Sequence, residues 1–264
     1  MTLDRVLSRM GLASRTAARE AIRAGRLKVN GRVVCDPETW VDSERSAIHF
    51  DGTRVKPARR IYLLLYKPKG VISSHGDPER RKTVYDCLAR SGARERGRSR
   101  GRDGGQLPSK PEQMRRWVFP VGRLDKDTSG VLLMTNDTEF ADFVTNPQSR
   151  VPKTYLVKTS GLMSDDVIAQ LSGGVVMKRG DAAHPLGVRR LEDRNKYTWL
   201  EVVLTEGKNR EVRRMIEAIG FKVLKLVRTR VGPLTFEGLE VGSWRMIDAA
   251  EIAALRAGKA RSNS

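Results

Sequence analysis

Gly122-Arg123-Leu124-Asp125-Lys126-Asp127-Thr128-Ser129-Gly130 runs directly into the apolar stretch Val131-Leu132-Leu133-Met134-Thr135. The apolar run reads as a buried strand, and the nonapeptide before it as a tight loop at that strand's edge. Loops held by a rigid strand are where reactive groups concentrate. Asp125 stands in this loop between Arg123 and Lys126. Flanking cations suit a carboxylate that works as an anion, and an adjoining apolar strand excludes water and strengthens its electrostatics. Such a group serves nucleophilic attack or general-base chemistry. The same residues also compose an ordinary turn, with Asp127 or Thr128 bonding nearby backbone, and spacing alone leaves both readings open.

Outward from the loop, further strands are expected over 61–66, 154–159, 198–204, 223–228 and 244–247, and helices over 137–145, 164–171, 209–219 and 249–255. Asp248 and Glu251 have the spacing of a capping box for the last helix. This order predicts an α+β fold, a mixed domain on a largely antiparallel sheet, spanning 60–256. Within it, residues 91–116 carry Arg94, Arg96, Arg98, Arg100 and Arg102 among Gly and Ser, with almost nothing apolar. Such a segment buries too little surface to offset its ordering entropy, and a disordered basic insertion is expected. Residues 257–264 read as a mobile basic tail.

Residues 1–57 read as a separate small module. Thr2 is placed to cap a first helix carrying Leu3, Val6, Leu7 and Met10, which Gly11 ends; Ser14 is placed to cap a second, which Gly25 stops. Asn30-Gly31 between Leu27-Lys28-Val29 and Arg32-Val33-Val34 is a two-residue hairpin signal. Arg15, Arg19 and Arg23 recur every four residues, and Arg26 and Lys28 continue the basic ridge. A ridge of this kind meets phosphates, or it is the solvated face of a helix; Glu20 is the acid on that helix.

With 264 residues, 39% of them hydrophobic, the chain has material for a packed core. Its 50 Lys and Arg against 31 Asp and Glu leave a formal net charge of +19, which favours a polyanionic partner. The apolar runs, such as Ile61-Tyr62-Leu63-Leu64-Leu65-Tyr66, are too short to span a bilayer, so nucleic acid is the expected polyanion rather than a membrane. The N-terminus lacks the apolar core of a secretory signal, and Cys35 and Cys87 read as reduced thiols, so a cytoplasmic protein is expected. The cysteines and His49, His75 and His184 are scattered without metal-ligand spacing.

Four motifs in order carry a resemblance. They are Lys67-Pro68-Lys69-Gly70-Val71, the Asp125 nonapeptide, Lys153-Thr154-Tyr155-Leu156-Val157, and Glu206-Gly207-Lys208-Asn209-Arg210-Glu211-Val212-Arg213-Arg214-Met215. The chain resembles the bacterial ribosomal RNA pseudouridine synthases. Residues 2–50 are similar to the S4 RNA-binding domain, which also occurs in ribosomal proteins and synthetases. Relatives often carry His-Gln where this chain has Arg210-Glu211, a variant associated more with the large-subunit branch.

The resemblance implies that Asp125 is the catalytic aspartate, attacking a uridine flipped from its stack so that a carbon replaces the nitrogen bonded to the sugar. It implies that Tyr155 packs on the base, although the residues by themselves favour a core-facing strand tyrosine. Arg213 aligns with the basic residue that pairs with the carboxylate. Arg123 is expected to reshape the RNA, Lys67 and Lys69 to line its approach, and Lys208 and Arg210 to contact phosphate. Their alternative is plain surface charge. No cofactor and no metal are expected for an isomerisation, and the chain is expected to act as a monomer on ribosomal RNA, of the large subunit in preference to the small.

Two other classes remain open on the residues. One is a noncatalytic RNA-binding or ribosome-assembly factor. The other is a metal-dependent nuclease built on Asp125, Asp127 and Asp137, which Lys126 disfavours.

Overall fold

The computed structural model describes residues 1–264 except 11, 14, 43–44, 56–59, 75–76, 91–117, 178–179 and 259–264. The expected cap at Ser14, the Gly11 stop, the Arg-rich insertion and most of the basic tail lie outside the described residues.

In the N-terminal part, α1 (Leu3–Arg9) and α2 (Arg15–Arg23) pack beside strands β1 (Leu27–Val29), β2 (Arg32–Val33), β3 (Ile48–Phe50) and β4 (Thr53–Arg54). The strands form an antiparallel sheet in the order β2-β1-β3-β4. Asn30 and Gly31 adopt φ of 49° and 83°, the positive pair a two-residue hairpin turn demands. At the end of α2, Gly25 has φ 71°; its N–H bonds the Ile22 carbonyl and that of Arg26 bonds the Ala21 carbonyl, a Schellman closure. Leu3, Leu7, Ala18, Ile22, Leu27 and Ile48 make a core of their own. The sequence assigns Thr2 as a cap, but its hydroxyl donates to Asp4 Oδ1 at 2.6 Å and makes no cap bond. The buried Asp4 carboxylate is the stronger competitor for that hydroxyl.

The rest of the described chain is built on one large sheet. Its strands are β5 (Tyr62–Lys67), β6 (Phe119–Pro120), β7 (Ser129–Thr135), β8 (Lys153–Thr159), β11 (Gly187–Arg194), β12 (Tyr197–Leu204), β13 (Val223–Val231), β14 (Leu234–Thr235) and β15 (Trp244–Met246). The order is β11-β12-β8-β13-β7-β5-β15, with β14 on β13 and β6 on β7. Only the β13–β7 pair is parallel, so the sheet is largely antiparallel, as the α+β expectation requires. A short hairpin, β9 (Val175–Val176) and β10 (Ala182–Ala183), stands apart.

β7 is central because its side chains from Val131 to Thr135 are buried on both faces. Leu132 and Met134 enter the larger core with α6 (Glu211–Ala218); Val131 and Leu133 enter a second core under α4 (Thr138–Thr145) and α7 (Ala249–Arg256). Asp137 caps α4 by accepting from Glu139 N and Phe140 N. Asp248 and Glu251 form the expected capping box on α7. α5 (Asp165–Gly173) begins at Ser164, whose side chain accepts from Val167 N.

Several elements have no counterpart in the sequence expectation, among them α3 (Val84–Arg90) and the edge strand β11. β11 reads Gly-Val-Arg-Arg-Leu-Glu-Asp-Arg, and its charge hides the alternation while keeping an exposed edge from pairing with other chains. Among the described residues no helix is long and apolar enough to cross a membrane.

Candidate active site

The Asp125 loop is fastened by its own carbonyls. The Leu124 carbonyl accepts from Ser73 Oγ at 2.9 Å, and that of Asp125 from Lys67 Nζ at 3.1 Å and Thr128 N at 3.0 Å. The Lys126 carbonyl accepts from Gly70 N at 2.8 Å, that of Asp127 from Arg213 Nη2 at 3.1 Å, and that of Thr128 from Lys67 Nζ at 2.8 Å. Consecutive peptide oxygens from 124 to 128 are therefore each held, mostly by groups from β5, the loop after it and α6. A loop held this way presents the Asp125 carboxylate in a fixed place.

Lys67 is at the centre of this arrangement and corrects an expectation. It does not line an RNA approach: it is fully buried, and its ammonium donates to the carbonyls of Pro68, Asp125 and Thr128. Burial lowers its pKa to about 8. Lys69, two residues on, is exposed.

Asp125 lies in a cleft of about 640 Å³ whose walls include Arg123, Tyr155, Lys153, Arg210 and Arg228. Its Oδ2 is 3.9 Å from Arg213 Nε and 3.9 Å from Arg210 Nη1. The amphipathic pattern of α6 puts Arg213 beyond the apolar face, yet it is buried with Val212, Met215 and Ile216. Two of its nitrogens bond the Asp127 and Val223 carbonyls, and its buried Nε has no hydrogen-bond partner. An unsatisfied guanidinium donor thus faces Asp125 just beyond hydrogen-bond reach. Burial first, then the neighbouring Arg210, pull its pKa below the usual value, with Asp125 and Asp127 opposing. Arg210 takes a left-handed φ of 48° at the start of α6, which turns it back toward the loop. It lines the cleft beside the carboxylate with its side chain about half-exposed.

Tyr155 is 8% exposed and lines the cleft. It sits opposite Val202 on β12 and Arg228 on β13. Lys153 shares its face at period two and is a site residue that the sequence reading left unassigned. It is buried, its Nζ donates to the Thr205 carbonyl at 2.9 Å, and burial and then Arg228 lower its pKa to about 8. Arg228 is buried too and bonds the Val131 carbonyl through Nε at 2.8 Å. The signal for Lys153 was its alternation with Tyr155; Arg228 and Ser73 gave none, because only the folded sheet brings them to the loop. Glu211, buried at the start of α6, accepts from Lys208 N at 3.0 Å, and burial raises its pKa. Lys208 pairs with Glu206 at 2.8 Å and bonds the Ala182 carbonyl, so its charge is partly used within the protein.

β7 meets β13 closely here. Gly130 has φ +117°, and an added Cβ would run into the Arg228 carbonyl. Glycine is required for the strand after the loop to pair.

The basic ridge of the N-terminal part divides. Arg15 and Arg19 bond the buried Asp4 carboxylate at 3.2 and 2.9 Å, Arg19 also reaches Glu38, and Arg26 pairs with Asp51. Glu20 is thus not the acid that answers them; acids distant in sequence do, and Arg15 and Arg19 tie α2 to α1. Arg23 and Lys28 are exposed with no carboxylate partner among the described residues. The carboxylate trio of the nuclease reading is not assembled, since Asp137 is at the other end of β7, capping α4 and accepting from Tyr62 Oη. Among the described residues no group of three or more His, Cys, Asp or Glu side chains is gathered as a metal site.

Residues 61–218 match the family model described as RNA pseudouridylate synthase, and residues 1–44 match that of the S4 domain. The chain is 36% identical to the ribosomal large subunit pseudouridine synthase B of Bacillus subtilis (strain 168), over 97% of this chain and 95% of that one. It is also 36% identical to the protein of the same name from Yersinia pestis, over 93% and 72%. A crystal structure of a pseudouridylate synthase superposes with a TM-score of 0.64 at 26% identity, covering 97% of this chain and 99% of the other.

Proposed function

Because the chain belongs to the RNA pseudouridylate synthase family, we propose that it isomerises a uridine of large-subunit ribosomal RNA to pseudouridine, with Asp125 as nucleophile. The carrying observation is the Asp125 carboxylate in the cleft beside Arg210 and Arg213, on a loop whose carbonyls from 124 to 128 are held. The Asp125 carboxylate bonds to the sugar carbon as the sugar–N1 bond of the uridine breaks, the base turns while still held, C5 then bonds to that carbon and displaces the carboxylate, and the C5 proton leaves as N1 gains one. The sum of atoms is unchanged. Tyr155 offers its ring to the base within the cleft, and the unsatisfied Arg213 Nε tightens on Asp125 when substrate excludes water.

A base reaches this cleft only by leaving its stack, at about a few kcal/mol. RNA contacts elsewhere offset that, and Arg23, Lys28, Lys69 and Arg123 are exposed to make them. The net charge of +19 predicts affinity that falls steeply with salt.

The test is pseudouridine mapping on unmodified large- and small-subunit RNA transcripts with the wild type and Asp125→Asn. One large-subunit site, absent with the variant, is expected. Conversion by the variant removes Asp125 as nucleophile, a small-subunit site reassigns the substrate, and no conversion by the wild type favours a binding factor.

A further inference from the structure

The sheet has a face that the cleft does not use. Residues paired across strands project to the same side, so the register sorts the side chains into alternating rows. Arg228, Tyr155 and Val202 make one row, on the cleft side. The row of Lys225, Lys158, Trp199 and Glu192 projects to the opposite side, and so does the row containing Leu156 and Glu201. Tyr197, two residues before Trp199 on β12, shares that side.

On this outer side the second core covers β5, β7 and the end of β13, through α4 and α7. It does not extend over β8 and β12, whose outer residues are half-exposed while their inner ones are buried. Lys158 Nζ lies 3.8 Å from the centre of the Tyr197 ring and 5.7 Å from that of Trp199; Lys225 Nζ lies 5.9 Å from Trp199. The carboxylates of the patch are already engaged, Glu192 by Arg194 and Glu201 by Arg189. Among the described residues neither Lys158 nor Lys225 has a carboxylate partner.

We infer that the outer face of β8, β12 and β13 around Tyr197, Trp199, Lys158 and Lys225 is a second RNA-binding surface, taking an unpaired segment of the substrate RNA remote from the reacting uridine. Charge complementarity selects the occupant, since two unanswered ammonium groups suit a phosphate chain and repel a basic one. The rings supply what a bare lysine patch lacks, because aromatic faces stack on bases of any identity. In free protein the ammonium groups sit on those rings; with RNA they move to phosphates and the rings take bases. The sheet separates this surface from Tyr155 and Lys153, so a flipped nucleotide and this segment are different parts of one substrate. The inference rests on the proposed function for the identity of that RNA.

The test compares wild type with Lys158→Glu/Lys225→Glu and with Tyr197→Ala, on a full-length large-subunit transcript and on a short stem-loop carrying the target uridine. Expected is a roughly tenfold or greater rise in Kd for the transcript, with a shallower salt dependence for the double variant and unchanged turnover on the stem-loop. Ultraviolet crosslinking is expected to join Tyr197 or Trp199 to a nucleotide away from the target. Equal transcript affinity for wild type and both variants overturns the inference, as does crosslinking of these residues only to an acidic protein in an assembling particle. Failure of the proposed function reads differently: wild-type protein then converts no uridine on either RNA.

Discussion

Lys67→Met tests whether a fixed loop is what makes Asp125 reactive. Methionine keeps the apolar stem but removes the donor shared by the Pro68, Asp125 and Thr128 carbonyls at 3.1, 3.1 and 2.8 Å. The Asp125 carbonyl keeps Thr128 N, so the other two lose their side-chain donor. Three bonds from a charged donor are worth about 1.5–3 kcal/mol each. Against them stands the desolvation of a buried lysine, whose pKa has moved from 10.5 to about 8, or roughly 3 kcal/mol. The difference predicts a net loss of about 1.5–6 kcal/mol in stability. Catalysis is expected to suffer as well, since a reacting group displaced by about 1 Å loses on the order of a hundredfold in rate. Urea unfolding gives the first quantity. Single-turnover pseudouridine formation, under conditions where the variant is folded, gives the second, and RNA affinity measured alongside should stay near wild type. A folded Lys67→Met protein that turns over at the wild-type rate would refute the reasoning, and a selective loss of RNA affinity would return Lys67 to the RNA interface.

Three further outcomes follow from separate parts of the molecule. Gly130→Ala should lose about 3 kcal/mol or more, or fail to fold, because the new Cβ meets the Arg228 backbone at a φ of +117°; a thermal midpoint within a few degrees of wild type contradicts the close approach. Burial raises the pKa of Asp4, but bonds from Thr2, Arg19 and Arg15 outweigh it and hold the value at about 2, against 3.8. Its contribution is complete above 3.8 and is lost as pH falls through about 2, so Asp4→Asn should be destabilised at neutral pH by about 1–2 kcal/mol and should unfold with a weaker acid dependence. Lys153 has its pKa lowered from 10.5 to about 8, so between those values the unfolded chain binds more protons and stability from this group rises with pH. The wild-type unfolding free energy should therefore climb more over that interval than that of Lys153→Met, and parallel pH profiles would show that Lys153 is not buried as a cation.

The residues themselves disclosed the parts whose signals are local. Asn30-Gly31 made the hairpin because only positive φ closes a two-residue turn, and Asp248 with Glu251 capped α7 because both partners lie within one helical turn. Strands β7, β8 and β12 stood out because their burial repeats every residue or every second one. The order of four motifs disclosed the family, and with it the candidate roles of Asp125, Tyr155 and Arg213. The charge of the chain pointed to a polyanion.

What the sequence left open depended on partners far along the chain. Arg15 and Arg19 form one ridge with Arg23 in a helical projection, yet folding sets Asp4 and Glu38 against the first two and turns them into ties between helices. Lys67 reads as a surface cation until β5 pairs with β7 and buries it under the loop of residues 124–128. Arg228 comes to the cleft only because β13 runs parallel to β7, the pairing that a local pattern encodes least. Sequence thus determined which groups could react and which segments could fold, since propensity, capping and turn geometry act over a few residues. Tertiary structure decided which charges face RNA and which hold the fold, because a charge is assigned by whatever the chain brings against it from a distance.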